Sequence, residues 1–548
     1  MNWTASFSTL LALIATAHAL GSSTVTIVSS ADPTQVIEEE NGSLLLTVSQ
    51  DDKKAFAKAG QVSYENFGAA GDGVTDDAVA IAATHAYANQ HQLKVRAKDN
   101  ATYYIGGEER TAYIQTDTDF GNASFIIDDT AVEKRDAPVF EVSSQQKSFK
   151  LEGLTSLKRN QKRINVPLPG PCLVTVTDSN TKRYIRFGLN QNNGASQTDI
   201  FVVDKNGKLD PMAPIVWDFE EITDCTALPI DETLLTISGG TFTTIANQAE
   251  SQYTYYSRNL AIRRSNVVVD RLEHRVTGEG DQGAPYGGFI NIRDSAYVTV
   301  KNALLTGRKK YITIGNAGKP VPMGSYDIIV NRSLNVSFVN CSQTNDIHDR
   351  DYWGIMGSNF SKNLLYDRCT LSRFDAHMGV ANATIRNSTL GHMGINAIGT
   401  GTLTLENSIV YGPHLVNLRQ DYGSTWQGRI LVRDCRFVPS SGRSVSASLI
   451  GGRNSTQHDF GYTCYLPEEI VIENLHIDDS NHPENYEGPA IFANFTPEMT
   501  DSSYQESYPY VRPKRVLLRD VTTASGQSLR VSENPFPFRK VKVDTRKR

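Results

Sequence analysis

Leu334-Asn335-Val336-Ser337-Phe338-Val339-Asn340-Cys341 begins the stretch that decides the fold. The same form returns in Asn363-Leu364-Leu365-Tyr366-Asp367-Arg368-Cys369 and in Ala383-Thr384-Ile385-Arg386-Asn387-Ser388. It returns again in Leu403-Thr404-Leu405-Glu406-Asn407-Ser408 and Ile430-Leu431-Val432-Arg433-Asp434-Cys435. Each segment is an apolar strand core, then Asn, Asp or Arg, then one small residue. The small residues fall at 341, 369, 388, 408 and 435, in steps of 28, 19, 20 and 27. Units of that length, rich in strand and without helix-length apolar patterns between them, form a solenoid. One coil cannot bury its own apolar face, whereas stacked coils bury a continuous core. The expected fold class is all-β, a single-stranded parallel β-helix.

Working outward, polar residues follow the small residue in consecutive units. Asn345-Asp346-Ile347-His348-Asp349-Arg350-Asp351-Tyr352-Trp353 follows Cys341, and Ser372-Arg373-Phe374-Asp375-Ala376-His377 follows Cys369. Gly391-His392-Met393-Gly394-Ile395-Asn396 follows Ser388; His414, Asn417, Arg419, Asp421 and Tyr422 follow Ser408. Asp375, Gly394 and His414 stand six beyond their small residue, and Arg373 and His392 four beyond. Equal offsets in stacked strands bring side chains to about 5 Å. One groove lined by acids, imidazoles and guanidiniums is therefore expected.

The chain has 548 residues and a formal net charge of −6. A solenoid grows in one dimension, so this length fits one core, and the charge leaves no basic footprint for nucleic acid. Residues 1–19 have the pattern of a secretory signal, with an apolar run from Phe7 to Ala15 and a small-x-small site at Ala17-His18-Ala19. No other stretch approaches the roughly 18 apolar residues of a membrane span. A secreted, extracellular, single-chain protein without a membrane partner is expected. Eleven Asn-x-Ser/Thr sequons follow the signal, at Asn41, Asn100, Asn122, Asn331, Asn335, Asn340, Asn359, Asn382, Asn387, Asn454 and Asn494. Some are expected to carry glycans, while those at strand corners are expected to be structural. Of the six cysteines, Cys341, Cys369 and Cys435 hold equivalent positions. They are either small core residues or partners of Cys172, Cys225 or Cys464 in disulfides. No Cys or His spacing suggests zinc, and no metal site is assigned.

In chain order, residues 20–61 read as a leader with one strand-like run, Ser43 to Val48. Residues 62–167 read as an N-terminal cap and first rungs, including Val139 to Val142 and Ser148 to Leu151. Residues 168–232 change rhythm: Leu173 to Val176, Tyr184 to Phe187 and Ile200 to Val203 alternate around turn residues, as antiparallel hairpins do. This inserted β subdomain either extends the groove or shields the flank. Residues 233–525 resume the rungs and carry the groove; residues 526–548 read as a basic tail. Gly278-Glu279-Gly280 reads as a loop.

The cap contains Tyr64-Glu65-Asn66-Phe67-Gly68-Ala69-Ala70-Gly71-Asp72-Gly73-Val74-Thr75-Asp76-Asp77-Ala78-Val79-Ala80-Ile81. Its glycines permit a tight turn. Thr75 or Asp76 is placed to cap a helix over Ala78 to Asn89, which would cover the open end of the solenoid. The motif resembles the N-terminal signature of the pectate-lyase-like superfamily, with its rhamnogalacturonase-like and epimerase-like members. That resemblance implies a right-handed parallel β-helix and a carbohydrate context.

An open cleft along a solenoid suits a polymer, so the expected partner is a polysaccharide. Glycosidic hydrolysis needs two carboxyl groups flanking one bond. Asp375 with Asp346 or Asp349 is the expected pair, and His377 and His392 are expected to tune or relay protons. Arg350, Asp351, Trp353, Arg373, Asn396, Asn417, Arg419, Asp421 and Tyr422 are expected to bind substrate. The order Asn345-Asp346, Asp375, Gly391-His392-Met393-Gly394, Asn417-Leu418-Arg419 loosely resembles polygalacturonase-type hydrolases. It departs from them in lacking an Asp pair at 375 and a Lys after Arg419. The alternatives are β-elimination on a uronic-acid polymer and non-catalytic glycan binding. In an elimination, Arg350, Arg373 or Arg419 neutralises the sugar carboxylate, and His377, His392 or Tyr422 is the base. No cofactor is expected for hydrolysis; for elimination, Asp346, Asp349 and Asp351 offer the hard oxygen ligands of Ca2+.

Overall fold

The computed structural model of the chain describes residues 25–107, 110–247, 255–280, 283–439, 447–453 and 456–546. The signal-like residues 1–19 and the sequon at Asn454 lie outside them.

The chain winds as a parallel β-helix whose coils each add a strand to three ladders. In the first ladder Val298 pairs with Val336, Val336 with Leu364, Leu364 with Ala383, Ala383 with Leu403, and Leu403 with Ile430. Ile430 then pairs with Ile470 and Ile470 with Val516. All of these are buried, so like side chains of successive coils stack into one apolar column. Burying an aliphatic side chain is worth about 1.5–3 kcal/mol. The second ladder runs through Glu273–Thr277, Leu304–Leu305 and Ser342–Gln343. The third runs through Phe140–Ser143, Leu260–Arg263, Gly287–Arg293, Tyr326–Asn331, Met356–Asn359 and His414–Leu418.

The polar residue before each small residue has a conformational cause. Asn340, Asn387, Asn407 and Asp434 turn the chain from the first ladder to the second in the left-handed region, with φ of 53°, 51°, 44° and 51°. Asn and Asp tolerate that region best among residues with a Cβ. Their side chains then bond along the stack: Asn340 Nδ2 donates to Asn302 Oδ1 (2.8 Å) and Asn407 Nδ2 to Asn387 Oδ1 (2.8 Å). The small residues form the next column, where Cys369 N–H donates to Ser388 Oγ (3.0 Å) and Ser388 N–H to Ser408 Oγ (3.1 Å). All six cysteines are buried and unpaired.

The helix Ala78–His91 covers the first coils, burying Ile81, Ala83 and Tyr87. Asp76 Oδ1 accepts the N–H of Ala78 (2.9 Å). Asp77 instead ties the preceding glycine turn, accepting from Ala70 N–H (2.7 Å) and Gly71 N–H (3.2 Å). The leader carries a helix, Gln50–Ala59, that the sequence reading did not expect.

An antiparallel sheet interrupts the coils: Cys172–Arg183 pairs with both Ala195–Val203 and Asp224–Pro229. Phe149–Lys150, expected as a rung, instead pairs antiparallel with Asp224–Pro229. It is therefore part of the insert. The stretch expected as a basic tail also differs: Arg530–Ser532 and Lys542–Arg546 pair in parallel with the strands below them and continue the coils. The alternation of Lys542, Asp544 and Arg546 keeps this terminal strand polar.

The insert is fastened to the flank. Leu173, Ile200, Val202 and Ala213 pack on Ala296 and Leu334. Beside them Lys362 Nζ meets Asp199 Oδ1 at 2.6 Å, both side chains being 2% exposed. Lys362 also donates to Pro214 O (2.6 Å), and Asp199 Oδ2 accepts Val216 N–H (2.7 Å).

Candidate functional site

Successive coils of the third ladder place Asp375 beside Asn396 and Asn396 beside Asn417, in one outward column. The offsets counted from sequence expected Asp375 to stack with Gly394 and His414. Gly391 to Met393 stand opposite the single residue Ser372, and these two extra residues shift the register between Leu371↔Leu390 and Arg373↔Gly394. Arg373 therefore stacks with Gly394, not with His392. In the column, Asn417 Nδ2 donates to Asn396 Oδ1 (2.8 Å), and Asn396 Nδ2 donates to Met393 O (2.8 Å).

Asp375 is closed over. Gly357, the residue below it in the column, has no side chain, and the ring of Tyr326 lies against it; an added Cβ would come within 2.9 Å of that ring. The Tyr326 hydroxyl donates to Asp375 Oδ2 (2.8 Å). Arg373 Nη2 meets the same oxygen at 2.6 Å and Arg419 Nη1 at 3.2 Å. The Asp375 side chain is 0% exposed. Burial alone would raise its pKa, but the two guanidiniums outweigh burial and hold it below the ordinary value. A carboxylate so placed neither donates a proton at neutral pH nor reaches a substrate. This conflicts with the expected acid–base role of Asp375 and leaves it positioning the arginines.

Around this anchor sit the more accessible groups. Arg419 also pairs with Asp421 (Nη2 to Oδ2, 2.9 Å), and these side chains are 13% and 20% exposed. Burial would raise the Asp421 pKa, but Arg419 and Arg186 hold it far below the usual range. His377 Nδ1–H donates to Asn359 Oδ1 (2.8 Å), leaving Nε2 as the acceptor, and its ring meets Tyr422 edge-on at 5.4 Å. Burial, then Arg419, push the His377 pKa down to about 3, so the imidazole is neutral. Trp353 is half-buried, with the Arg373 guanidinium 5.1 Å from its ring. Trp426 is core.

The structure thus gathers Trp353, Arg373, Asp375, His377, Asn396, Asn417, Arg419, Asp421 and Tyr422. It places Asp346, Asp349, Arg350 and Asp351 apart, on a strap over the second-to-third ladder turn. There Asp346 Oδ1 accepts His348 N–H (2.9 Å) and Asp349 Oδ1 accepts Asp351 N–H (2.9 Å), so these acids cap their own turns. His392 underlies the strap, with Nδ1 donating to Ile347 O (3.0 Å). Among the described residues no group of three His, Cys, Asp or Glu is arranged to hold a metal ion, and no helix is long and apolar enough to cross a membrane.

Sequence reasoning missed Arg186, Tyr326 and Asn359. Arg186 comes from the insert, with Nη2 2.8 Å from Asp421 Oδ2. The insert also donates Phe187 N–H to Asp421 O (2.9 Å) and Ile185 N–H to Phe460 O (3.1 Å). Tyr326 opens the third-ladder strand two coils below Asp375 and Asn359 closes the strand one coil below, a placement visible only once the ladder is known. The resulting site holds three guanidiniums against two carboxylates. Arg373, 3% exposed, leaves Nε and Nη1 without hydrogen-bond partners.

No family model matches the sequence. A capsule KL64-specific depolymerase of Klebsiella phage P510 is 29% identical over 175 residues, 27% of this chain. The chain spans 17% of that protein's length. The Gp54 tailspike of Acinetobacter baumannii bacteriophage AP22, solved with a capsular saccharide, is 10% identical; 92% of this chain and 81% of that one superpose with a TM-score of 0.50. The tailspike gp61 of Pseudomonas phage phi297 is 12% identical over 84% of this chain and 80% of that one, with a TM-score of 0.48. The chain has the parallel β-helix fold of the pectate-lyase-like proteins, phage tailspikes among its structural neighbours.

Proposed function

We propose that this protein binds an acidic polysaccharide along the outward column of the third ladder and depolymerises it. The observation that carries the reading is the charge imbalance: Arg186, Arg373 and Arg419 face only Asp375 and Asp421, and His377 is neutral. Three guanidiniums share two carboxylates, so the cluster keeps one net positive charge, and a planar sugar carboxylate meets a guanidinium in the geometry it favours. Asn396 and Asn417 continue the strip with amide groups suited to sugar hydroxyls. The likeness to a capsule depolymerase supports the same direction. The signal-like N-terminus supports secretion, where such a polymer is met.

A second reading of the cleavage step, β-elimination, is favoured by His377. Its Nδ1–H is occupied by Asn359, so Nε2 holds a free lone pair beside the arginines. A uronate carboxylate neutralised there would lose its C5 proton more readily. Incubation with polygalacturonate, alginate and a bacterial capsular polysaccharide tests both readings. New reducing ends alone indicate hydrolysis; reducing ends with the ultraviolet absorbance of an unsaturated uronide indicate elimination; neither from any polymer overturns depolymerisation.

A further inference from the structure

A hairpin of Lys310–Ile314 and Pro320–Gly324 leaves the coils between the second-ladder strand Leu304–Leu305 and the third-ladder strand Tyr326–Asn331. The acidic strap holds its base: Lys310 N–H donates to Asp351 O (2.9 Å), and Trp353 N–H donates to Arg308 O (2.9 Å). Its tip rests on the insert, where Ala317 N–H donates to Leu189 O (3.0 Å) and Asn316 Nδ2 to Gln191 O (2.8 Å). The insert docks on Ala296 and Leu334, where the first ladder begins and the third has ended. Five residues at about 3.4 Å each reach about 17 Å, the length of a third-ladder strand. The hairpin therefore crosses the full width of that ladder, from the strap on one side to the insert on the other.

Side chains alternate across its two strands. On the inner face Tyr311, Thr313 and Val321 are buried, and Met323 Sδ accepts from Asn190 Nδ2 (3.3 Å). The hairpin is thus packed down, with no passage beneath it. On the outer face Ile312 stands opposite Pro322 and Ile314 opposite Pro320, the two isoleucines 60% and 58% exposed. Gly324 belongs to this face, and a Cβ added there would come within 2.1 Å of Trp353. Trp353 therefore stands on the outer face, and the Arg373 guanidinium lies 5.1 Å from its ring. At the tip, Leu189 is two residues from Phe187, whose N–H bonds to Asp421 O. Hairpin, strap, arginine cluster and insert form one closed ring of contacts, with the apolar face of the hairpin continuous with the cluster through Trp353.

We propose that this hairpin is the end wall of the groove, so that the protein takes an acidic polysaccharide by a chain end. This rests on the acidic-polysaccharide reading and adds to it where the polymer stops. The chain lies over Asn417 and Asn396, its carboxylate meets the arginine cluster, and its terminal sugar seats against Trp353, Pro322 and Ile312. An apolar surface beside a few fixed charged groups is the make-up of a ligand pocket. An internal sugar would have to carry the chain across the wall.

The test uses the full chain with polygalacturonate, alginate and a bacterial capsular polysaccharide, each as long chains and as the same mass cut to short chains. Protein bound at saturation is read in the cold, with the polymer length checked afterwards. Bound protein is expected to rise in proportion to the number of chain ends. Ile312→Ser, at an exposed position, is expected to weaken this binding by about fourfold or more, the loss of one buried methylene. Replacing Ile312–Pro322 by Asn-Gly joins the paired residues Tyr311 and Met323 through a two-residue turn. With the wall removed, bound protein should follow polymer mass at either length.

Wild-type binding that follows mass and not ends overturns the end wall and leaves the acidic-polysaccharide reading standing. Ile312→Ser with wild-type affinity removes the apolar seat and overturns the proposal as well. Sedimentation that shows the wild type self-associating and Ile312→Ser monomeric assigns the apolar face to a second copy of the chain and overturns it too. A wild type that binds none of the polymers overturns the polysaccharide reading itself.

Discussion

Arg186 of the antiparallel insert and Asp421 of the β-helix lie 2.8 Å apart, their side chains 17% and 20% exposed. The insert is therefore part of the candidate site and not only a shield on the flank. Its Arg186 supplies the third guanidinium and brings its own ring contact, 5.4 Å from Tyr422. The insert thus completes the site with one of its three guanidiniums.

Docking is fixed by the Lys362–Asp199 pair. Removing one member of a buried pair leaves an uncompensated charge and costs about 3–5 kcal/mol. Lys362→Ala is expected to lower the unfolding free energy, read from urea titration, by that amount. A change below about 0.5 kcal/mol, the usual size for a surface substitution, would show that the pair does not hold the insert.

Acid should weaken the site in a defined window. Asp375 and Asp421 have folded-state pKa values below the ordinary carboxyl value. Their contribution to stability is therefore full above the unfolded value of about 3.9 and is lost as pH falls toward the lower folded values. Asp421→Asn is expected to flatten the acid limb of a stability–pH curve, while an unchanged limb would place the acid sensitivity elsewhere.

Buried imidazoles add to the acid sensitivity, in a higher pH window. Burial takes both His85 and His377 down to about 3, so protonation favours unfolding. Their contribution is present above the unfolded value of about 6.5 and is lost as pH falls from there toward 3. The ring proton resonances of His377, assigned by comparison with His377→Gln, should show no titration between pH 8 and about 4. A midpoint near 6 would show the imidazole open to solvent.

The corner residues should rank by backbone conformation. Asn387 holds φ of 51° and its Nδ2 donates to Asp367 Oδ1 (3.0 Å). Asn387→Ala loses that bond and the one its Oδ1 accepts from Asn407 Nδ2, and keeps a Cβ in the left-handed region without them, at a cost of about 2–3 kcal/mol. Asn387→Gly loses only the two bonds and should cost less. Equal costs from thermal unfolding would refute the conformational explanation.

The coils were legible because a solenoid writes its geometry along the chain. The small residues at 341, 369, 388, 408 and 435 mark one column, and the Asn or Asp before most of them marks the left-handed corner. Site membership was legible for Arg373, Asp375 and Arg419, which neighbouring coils carry. What the counting missed has physical causes. Gly391 to Met393 stand opposite Ser372 alone and shift the register, which offsets alone do not reveal. Tyr326 seals Asp375 because Gly357 leaves room for its ring, a packing relation with no local signature. Arg186 lies 235 residues from Asp421, in a subdomain outside the repeat, so no periodicity connects them.

The central claim is that the net positive charge of the Arg186, Arg373 and Arg419 cluster receives a sugar carboxylate. Binding of wild-type protein to an acidic polysaccharide, compared with the same polymer after chemical reduction of its carboxyl groups to alcohols, tests it most directly. The account predicts affinity for the acidic form that weakens at least about tenfold on reduction, a loss of about 1.4 kcal/mol, and that falls as salt is added. Equal affinity for the two forms would contradict it.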